Sequence, residues 1–79
     1  MEEPNIVDVH TRCGNAIRER RRLLCIDQAA LAELSGVSRH TVSNVEGGEG
    51  NPTLTVLAAL CDALGLEVVL RPRVPEEFR

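Results

Sequence analysis

The stretch Gln28-Ala-Ala-Leu-Ala-Glu-Leu-Ser-Gly-Val-Ser-Arg-His-Thr-Val-Ser-Asn-Val-Glu-Gly-Gly48 decides the fold. It reads as two short helices joined by a tight turn. Gly36 sits where the first helix must stop, because glycine enters the left-handed region without a Cβ clash. Val37 turns inward. Ser38 is a good N-cap for the second helix, its hydroxyl able to accept an orphan backbone N–H. Ala29, Ala30 and Ala32 keep the first helix thin enough for close crossing. Leu31 and Leu34 on the first helix, and Val42 and Val45 on the second, are spaced three apart and predict a core face. Arg39, His40, Ser43 and Asn44 then point outward. Arginine, asparagine, serine and histidine are side chains that read base edges in a major groove.

Working outward toward the N-terminus, residues 1–9 contain Pro4 and early acids with little periodicity, and are expected to form a flexible arm. The first helix is expected to open near His10 or Thr11. Cys13, Ala16, Ile17, Arg21 and Leu24 follow the 3-and-4 spacing of one buried face. Arg21 is the odd member, since a cation on a core face needs a partner. Glu46, next to Val45 at the edge of the buried face, is the expected partner, and the pair would tie the first helix to the third. Arg18, Arg20 and Arg22 read as a solvated face, with Arg12 and Arg18 nearest to any phosphates. Asp27 caps the second helix and favours its dipole.

Toward the C-terminus, residues 47–52 form a Gly-Asn-Pro loop. Thr53 caps a fourth helix that runs to about Leu64, where Gly65 ends it. Leu54, Leu57, Ala58, Cys61 and Leu64 predict its core face. Val56, Leu60 and Ala63 make a second apolar stripe, assigned to contact with another protomer. Leu66 to Arg71 is rich in β-branched and aliphatic residues and is stopped by Pro72. A lone strand is unstable, so Leu66, Val68, Val69 and Leu70 are expected to pair with the two-fold mate. Residues 73–79 read as a flexible tail in which Phe78 is a possible partner anchor.

The 79 residues make one domain, 43% hydrophobic with a single aromatic, so the core is aliphatic. A chain this short buries a limited fraction of its surface, and dimerisation would help it. No apolar run reaches membrane-spanning length and no signal peptide opens the chain, which predicts a cytoplasmic, nucleoid-associated protein. Three scattered cysteines read as reduced thiols, with Cys13 and Cys61 as packing residues. The net charge is −3, against nonspecific nucleic-acid binding, but its distribution is uneven. Residues 10–45 carry six arginines against three acids, so the positive block coincides with the proposed reading motif. Lysine is absent, leaving arginine, suited to bidentate contacts. The competing explanation is a coding bias.

These residues identify a resemblance. From Thr11 to Leu64 the chain resembles the helix-turn-helix of the lambda repressor/Cro family. Within it, T-x-x-G-N-A-I-R, S-x-V-E-G-G-x-G-N-P-T-L and the strand-like L-E-V-V-L are most similar to HipB-type antitoxins. The resemblance implies an all-α, lambda-repressor-like bundle of four to five short helices, comprising residues 10–64, followed by a C-terminal dimerisation strand over residues 65–72. It implies that Arg21 pairs with Glu46 and that Gln28 contacts phosphate. Cys25 departs from it, standing where the family has a left-handed glycine. It also implies a homodimer on a palindromic DNA operator. Arg39 is the first choice for base readout. His40, Ser43 and Asn44 are further candidates, while Ser38 and Thr41 would meet phosphate beside the helix N-terminus.

The function expected is a sequence-specific repressor, the antitoxin of a toxin–antitoxin operon, silencing its own promoter and partnered by a HipA-like kinase toxin. The alternatives are a stand-alone Cro/CI-type regulator and a protein-interaction module without DNA. An enzyme is not expected. His10 and His40 have no metal-ligand spacing with the cysteines, and no phosphate loop or nucleophile elbow is present. Neither a metal nor a cofactor is expected.

Overall fold

The computed structural model describes residues 6–75, with side-chain surroundings from Val9 onward. Four helices follow in order: α1 (Ile6–Leu23), α2 (Gln28–Ser35), α3 (Arg39–Glu46) and α4 (Leu54–Leu64). The core is small and aliphatic: Ile17 from α1, Leu31 from α2, Val42 and Val45 from α3, and Leu60 and Leu64 from α4. Ile26, Val37, Val56, Leu57 and Leu66 pack around its edge.

The helix boundaries follow from local chemistry. Asp27, Ser38 and Thr53 each adopt extended backbone and accept a backbone N–H three residues on, from Ala30, Thr41 and Val56. At the other ends, α2 stops at Gly36 (φ 75°), whose N–H donates to the Ala32 carbonyl. α4 stops at Gly65, where the Gly65 and Leu66 N–H groups donate to the Asp62 and Cys61 carbonyls. α1 ends with the same two-bond pattern, Cys25 N–H to the Arg22 carbonyl and Ile26 N–H to the Arg21 carbonyl. The left-handed residue there is Cys25, at φ 59°. It adopts the left-handed conformation that glycine enters freely and carries the Cβ strain that goes with it.

Several expectations need correction. Helix α1 begins at Ile6, so residues 6–9 are helical and not an arm. Val9 sits four residues before Cys13 and lines the same groove with Val45 and Leu57, which extends the apolar stripe by one turn. Residues 1–5 of the expected arm lie outside the described residues. Leu34 is 65% exposed. The inward stripe of α2 is Gln28, Leu31, Ala32 and Ser35, and at about 100° per residue Leu34 falls off its edge. Leu24 lies beyond the end of α1 and is exposed.

The core face of α4 is turned from the expected one: Leu64 and Leu57 face inward as expected, but Leu54 and Ala58 do not. Leu60, expected at a contact between protomers, is 0% exposed in the chain's own core. Val56 and Ala63 pack beside it, whereas Leu54 is 67% exposed and Ala58 lies on the surface.

Residues 66–75 form no strand within the described chain. A strand requires a ladder partner, and this segment runs along the surface instead. Leu66 is tucked against the core while Val68, Val69 and Leu70 are exposed. Of the expected tail, residues 73–75 are exposed and irregular. Residues 76–79, with Phe78, lie outside the described residues.

Candidate nucleic-acid interface

Two devices fix the position of α3. The first is a close helix crossing. Gly14 of α1 lies against the α3 backbone, where a Cβ would come within 2.2 Å of the Val45 carbonyl oxygen and 3.0 Å of the Glu46 one. Only a residue without a side chain lets the two helices approach this far.

The second is a buried carboxylate. Glu46, at the end of α3, is 2% exposed. Arg21 of α1 grips it with two bonds, Nε to Oε2 at 2.6 Å and Nη2 to Oε1 at 2.9 Å, the bidentate fork geometry of a strong pair. Arg21 Nη1 also donates to the Ile26 carbonyl at 2.9 Å, anchoring the α1–α2 turn. Gln28 of α2 donates its amide to Glu46 Oε1 at 3.1 Å, and Arg18 Nε lies 3.6 Å from the same oxygen.

Three helices therefore meet at one carboxylate. Burial pushes the Glu46 carboxyl up. The hydrogen bonds from Arg21 and Gln28, with the charges of Arg21 and Arg18, outweigh burial and hold it below the usual carboxylate range. Glu46 in turn raises the Arg21 guanidinium. Every buried side-chain nitrogen and oxygen among the described residues has a hydrogen-bond partner.

The arginines expected on a solvated face are partly engaged. Arg20 Nε donates to the Leu64 carbonyl at 2.9 Å, satisfying an orphan acceptor at the end of α4. Arg18 joins the Glu46 cluster. The sequence places Arg20 on a solvated face and gives Gly14 no packing role of its own. The only advance signal for Gly14 was a glycine inside an otherwise apolar helical face.

The outward side of α3 is then defined. With Val42, Val45 and Glu46 buried, Arg39, His40 and Ser43 are exposed, and Thr41 and Asn44 are half-buried at the flank. Ser38 Oγ donates to Thr41 Oγ1 at 2.8 Å while accepting the Thr41 N–H at 3.1 Å. Its single O–H is therefore used inside the cap, and the Thr41 hydroxyl keeps its own hydrogen for an outside acceptor. Gln28, at the start of α2, has one amide hydrogen on Glu46 and one left over. Asn44 Nδ2 lies 3.3 Å from His40 Nε2, one turn earlier. The surface is short, polar and backed by the aliphatic core.

No trio of His, Cys, Asp or Glu among the described residues is placed to hold a metal ion. No helix among them is long and apolar enough to cross a membrane.

A short helix-stop-helix pair, with the second helix held at its C-terminal end and presenting a polar face, defines a helix-turn-helix protein. The family model for the helix-turn-helix domain matches residues 13–74, and the chain belongs to that family. An uncharacterized HTH-type transcriptional regulator of Methanothermobacter thermautotrophicus is 41% identical over 51 residues, which is 65% of this chain and 74% of that protein. Among solved structures, the restriction-modification controller protein C.AhdI from Aeromonas hydrophila aligns with a TM-score of 0.71 at 35% identity. That alignment covers 76% of this chain and 91% of the controller protein.

Proposed function

We propose that the chain is a sequence-specific DNA-binding transcriptional regulator that acts without enzymatic activity. The observation that carries this is the outward face of α3, whose backbone is fixed by Gly14 and the Glu46 network. Arg39 lies at the first position of the helix, suited to a bidentate guanine contact. His40, Ser43 and Asn44 offer further hydrogen-bonding groups to base edges. The N-terminus of α3 with Thr41, and the N-terminus of α2 with Gln28, present donors to the phosphates on either side. The likeness to a transcriptional regulator and to a controller protein supports the same reading.

The functional unit proposed is a homodimer. An apolar groove of about 280 Å³ is lined by Cys13, Leu57, Cys61, Leu66, Val68 and Val69. Adding a mate's 66–70 segment as a paired strand would cover it. A two-fold pair places two recognition helices about 34–36 Å apart, on successive major grooves of a palindromic operator.

Within this reading, repression of its own promoter is the simplest regulatory role. A narrower role as a HipB-type antitoxin rests on the Ser43–Leu54 motif. It predicts a stable complex with a HipA-like kinase toxin encoded beside it, which size-exclusion chromatography of the co-expressed pair tests.

Selection from a random-duplex library tests the main proposal. The expected result is an enriched inverted repeat with half-sites one helical turn apart. Recovery of no motif would contradict it.

A further inference from the structure

Resting on the reading of α3 as the DNA-contacting helix, we infer that His40 orients the Asn44 amide so that Asn44 reads adenine. Asn44 Nδ2 faces His40 Nε2 at 3.3 Å across one helical turn. An amide nitrogen only donates, so with Nδ2 toward the ring Nε2 is the acceptor, the arrangement of the tautomer with its proton on Nδ1. In this pairing the ring holds the Asn44 amide one way round. Oδ1 and the second Nδ2 hydrogen remain for an outside partner, an acceptor and a donor side by side.

The four base edges answer this pair differently. Adenine alone presents, in the major groove, an acceptor at N7 beside a donor at N6, the complement of such an amide. Guanine presents two acceptors, cytosine a donor, and thymine an acceptor beside a methyl group. With the amide reversed, Oδ1 would accept from an Nε2–H tautomer, and the donor and acceptor left outward would exchange places relative to an adenine at the same position. The adenine match would be lost. His40 therefore acts as a positioning residue, and Asn44 as the reader. On the helical wheel of α3, His40 lies close to the meridian opposite Val42 and Val45, Asn44 about 50° to one side of it, and Arg39 nearer the edge. The pair thus reaches from the centre of the outward face, at exposed His40, to its flank, at half-buried Asn44.

The test uses the full chain and the duplex recovered by selection. Each base pair of one half-site is changed in turn, and affinity is read by fluorescence anisotropy. Wild type, Asn44→Ala, His40→Ala and His40→Gln are compared after far-UV circular dichroism shows each to be folded.

One A·T pair is expected whose replacement weakens wild type by roughly 5- to 150-fold. At that pair, Asn44→Ala and His40→Ala show little or no preference. His40→Gln, whose Oε1 accepts from Nδ2 as Nε2 does, restores it. Placing 7-deaza-adenine there weakens wild type and leaves Asn44→Ala unaffected. A selective wild type matched at every position by Asn44→Ala, or an adenine preference kept in full by His40→Ala, overturns this inference alone. A wild type with no base preference anywhere overturns the DNA-reading proposal with it.

Discussion

Replacing Arg21 by methionine tests how α3 is held. Methionine keeps much of the aliphatic length and removes the guanidinium. Three bonds are lost: Nε and Nη2 to Glu46, and Nη1 to the Ile26 carbonyl. Glu46 stays buried as a charge without its main partner. Arg18, 3.6 Å away and with its side chain 40% exposed, compensates only in part because solvent screens it. Breaking a buried pair from one side costs about 3–5 kcal/mol. A domain of this size has roughly 4–12 kcal/mol in all, at 0.05–0.15 kcal/mol per residue. Urea denaturation followed by far-UV circular dichroism should show Arg21→Met less stable by that amount, which for a domain at the low end of the range means near or past its midpoint without denaturant. The double variant Arg21→Met/Glu46→Leu removes the stranded charge and should regain much of the loss.

The pH dependence gives a second readout. In wild type the folded Glu46 carboxyl titrates below its unfolded value. Its contribution is complete above about pH 4.3, the unfolded carboxyl range, and is lost as pH falls through the folded value. In Arg21→Met the carboxyl loses its largest stabilising partner while burial continues to push it up. Stability of that variant should rise as pH is lowered through the carboxyl range. Additive single and double variants, or an unchanged pH dependence in Arg21→Met, would refute the reasoning.

Four further substitutions probe the frame. Gly14→Ala would gain about 1 kcal/mol of helix propensity in an open helix. Here the methyl meets backbone carbonyls of α3, and a net loss of about 2–3 kcal/mol in chemical denaturation is expected. Cys25→Gly relieves a left-handed residue that costs about 1–2 kcal/mol. After the extra unfolded-state entropy of glycine, thermal unfolding should show a gain of about 0.5–1 kcal/mol. Leu60→Ala should lose about 2–5 kcal/mol while Leu34→Ala loses under about 1 kcal/mol, although both leucines lie on apolar stripes in the sequence.

The parts of this fold that were legible in the sequence are those set by local chemistry. Asp27, Ser38 and Thr53 mark helix starts, and Gly36 and Gly65 mark stops, because each satisfies orphan backbone groups whatever the tertiary context. The Arg21–Glu46 pair was readable for a related reason: a cation on an apolar stripe requires a carboxylate nearby.

What was misread depends on rotation about a helix axis. In α4 almost every residue is apolar, so spacing alone permits two faces. Thr55 and Asp62 carry the missing signal, since they share one meridian and place Leu60 opposite, in the core. In α2, Leu34 is apolar without being buried. Residues 6–9 lacked a recognisable cap, and their helix is instead an extension of the Cys13 stripe through Val9. Gly14 and Arg20 act through partners more than 25 residues away, which no local pattern announces. Among the candidate reading residues, the sequence pointed to residue types. The pairing of His40 with Asn44 needed coordinates.

The central claim is that the outward face of α3 reads DNA sequence. The most direct measurement is anisotropy of wild type and Arg39→Ala on the selected duplex and on a scrambled one, at about 50 and 200 mM salt. The account predicts that wild type binds the selected duplex at least about a thousandfold more tightly, with affinity falling as salt rises. Arg39→Ala should lose about 1–3 kcal/mol on the selected duplex, relax preference at one base pair and change little on the scrambled one. Equal, weak binding of wild type to both duplexes, or equal losses for Arg39→Ala on both, would contradict it.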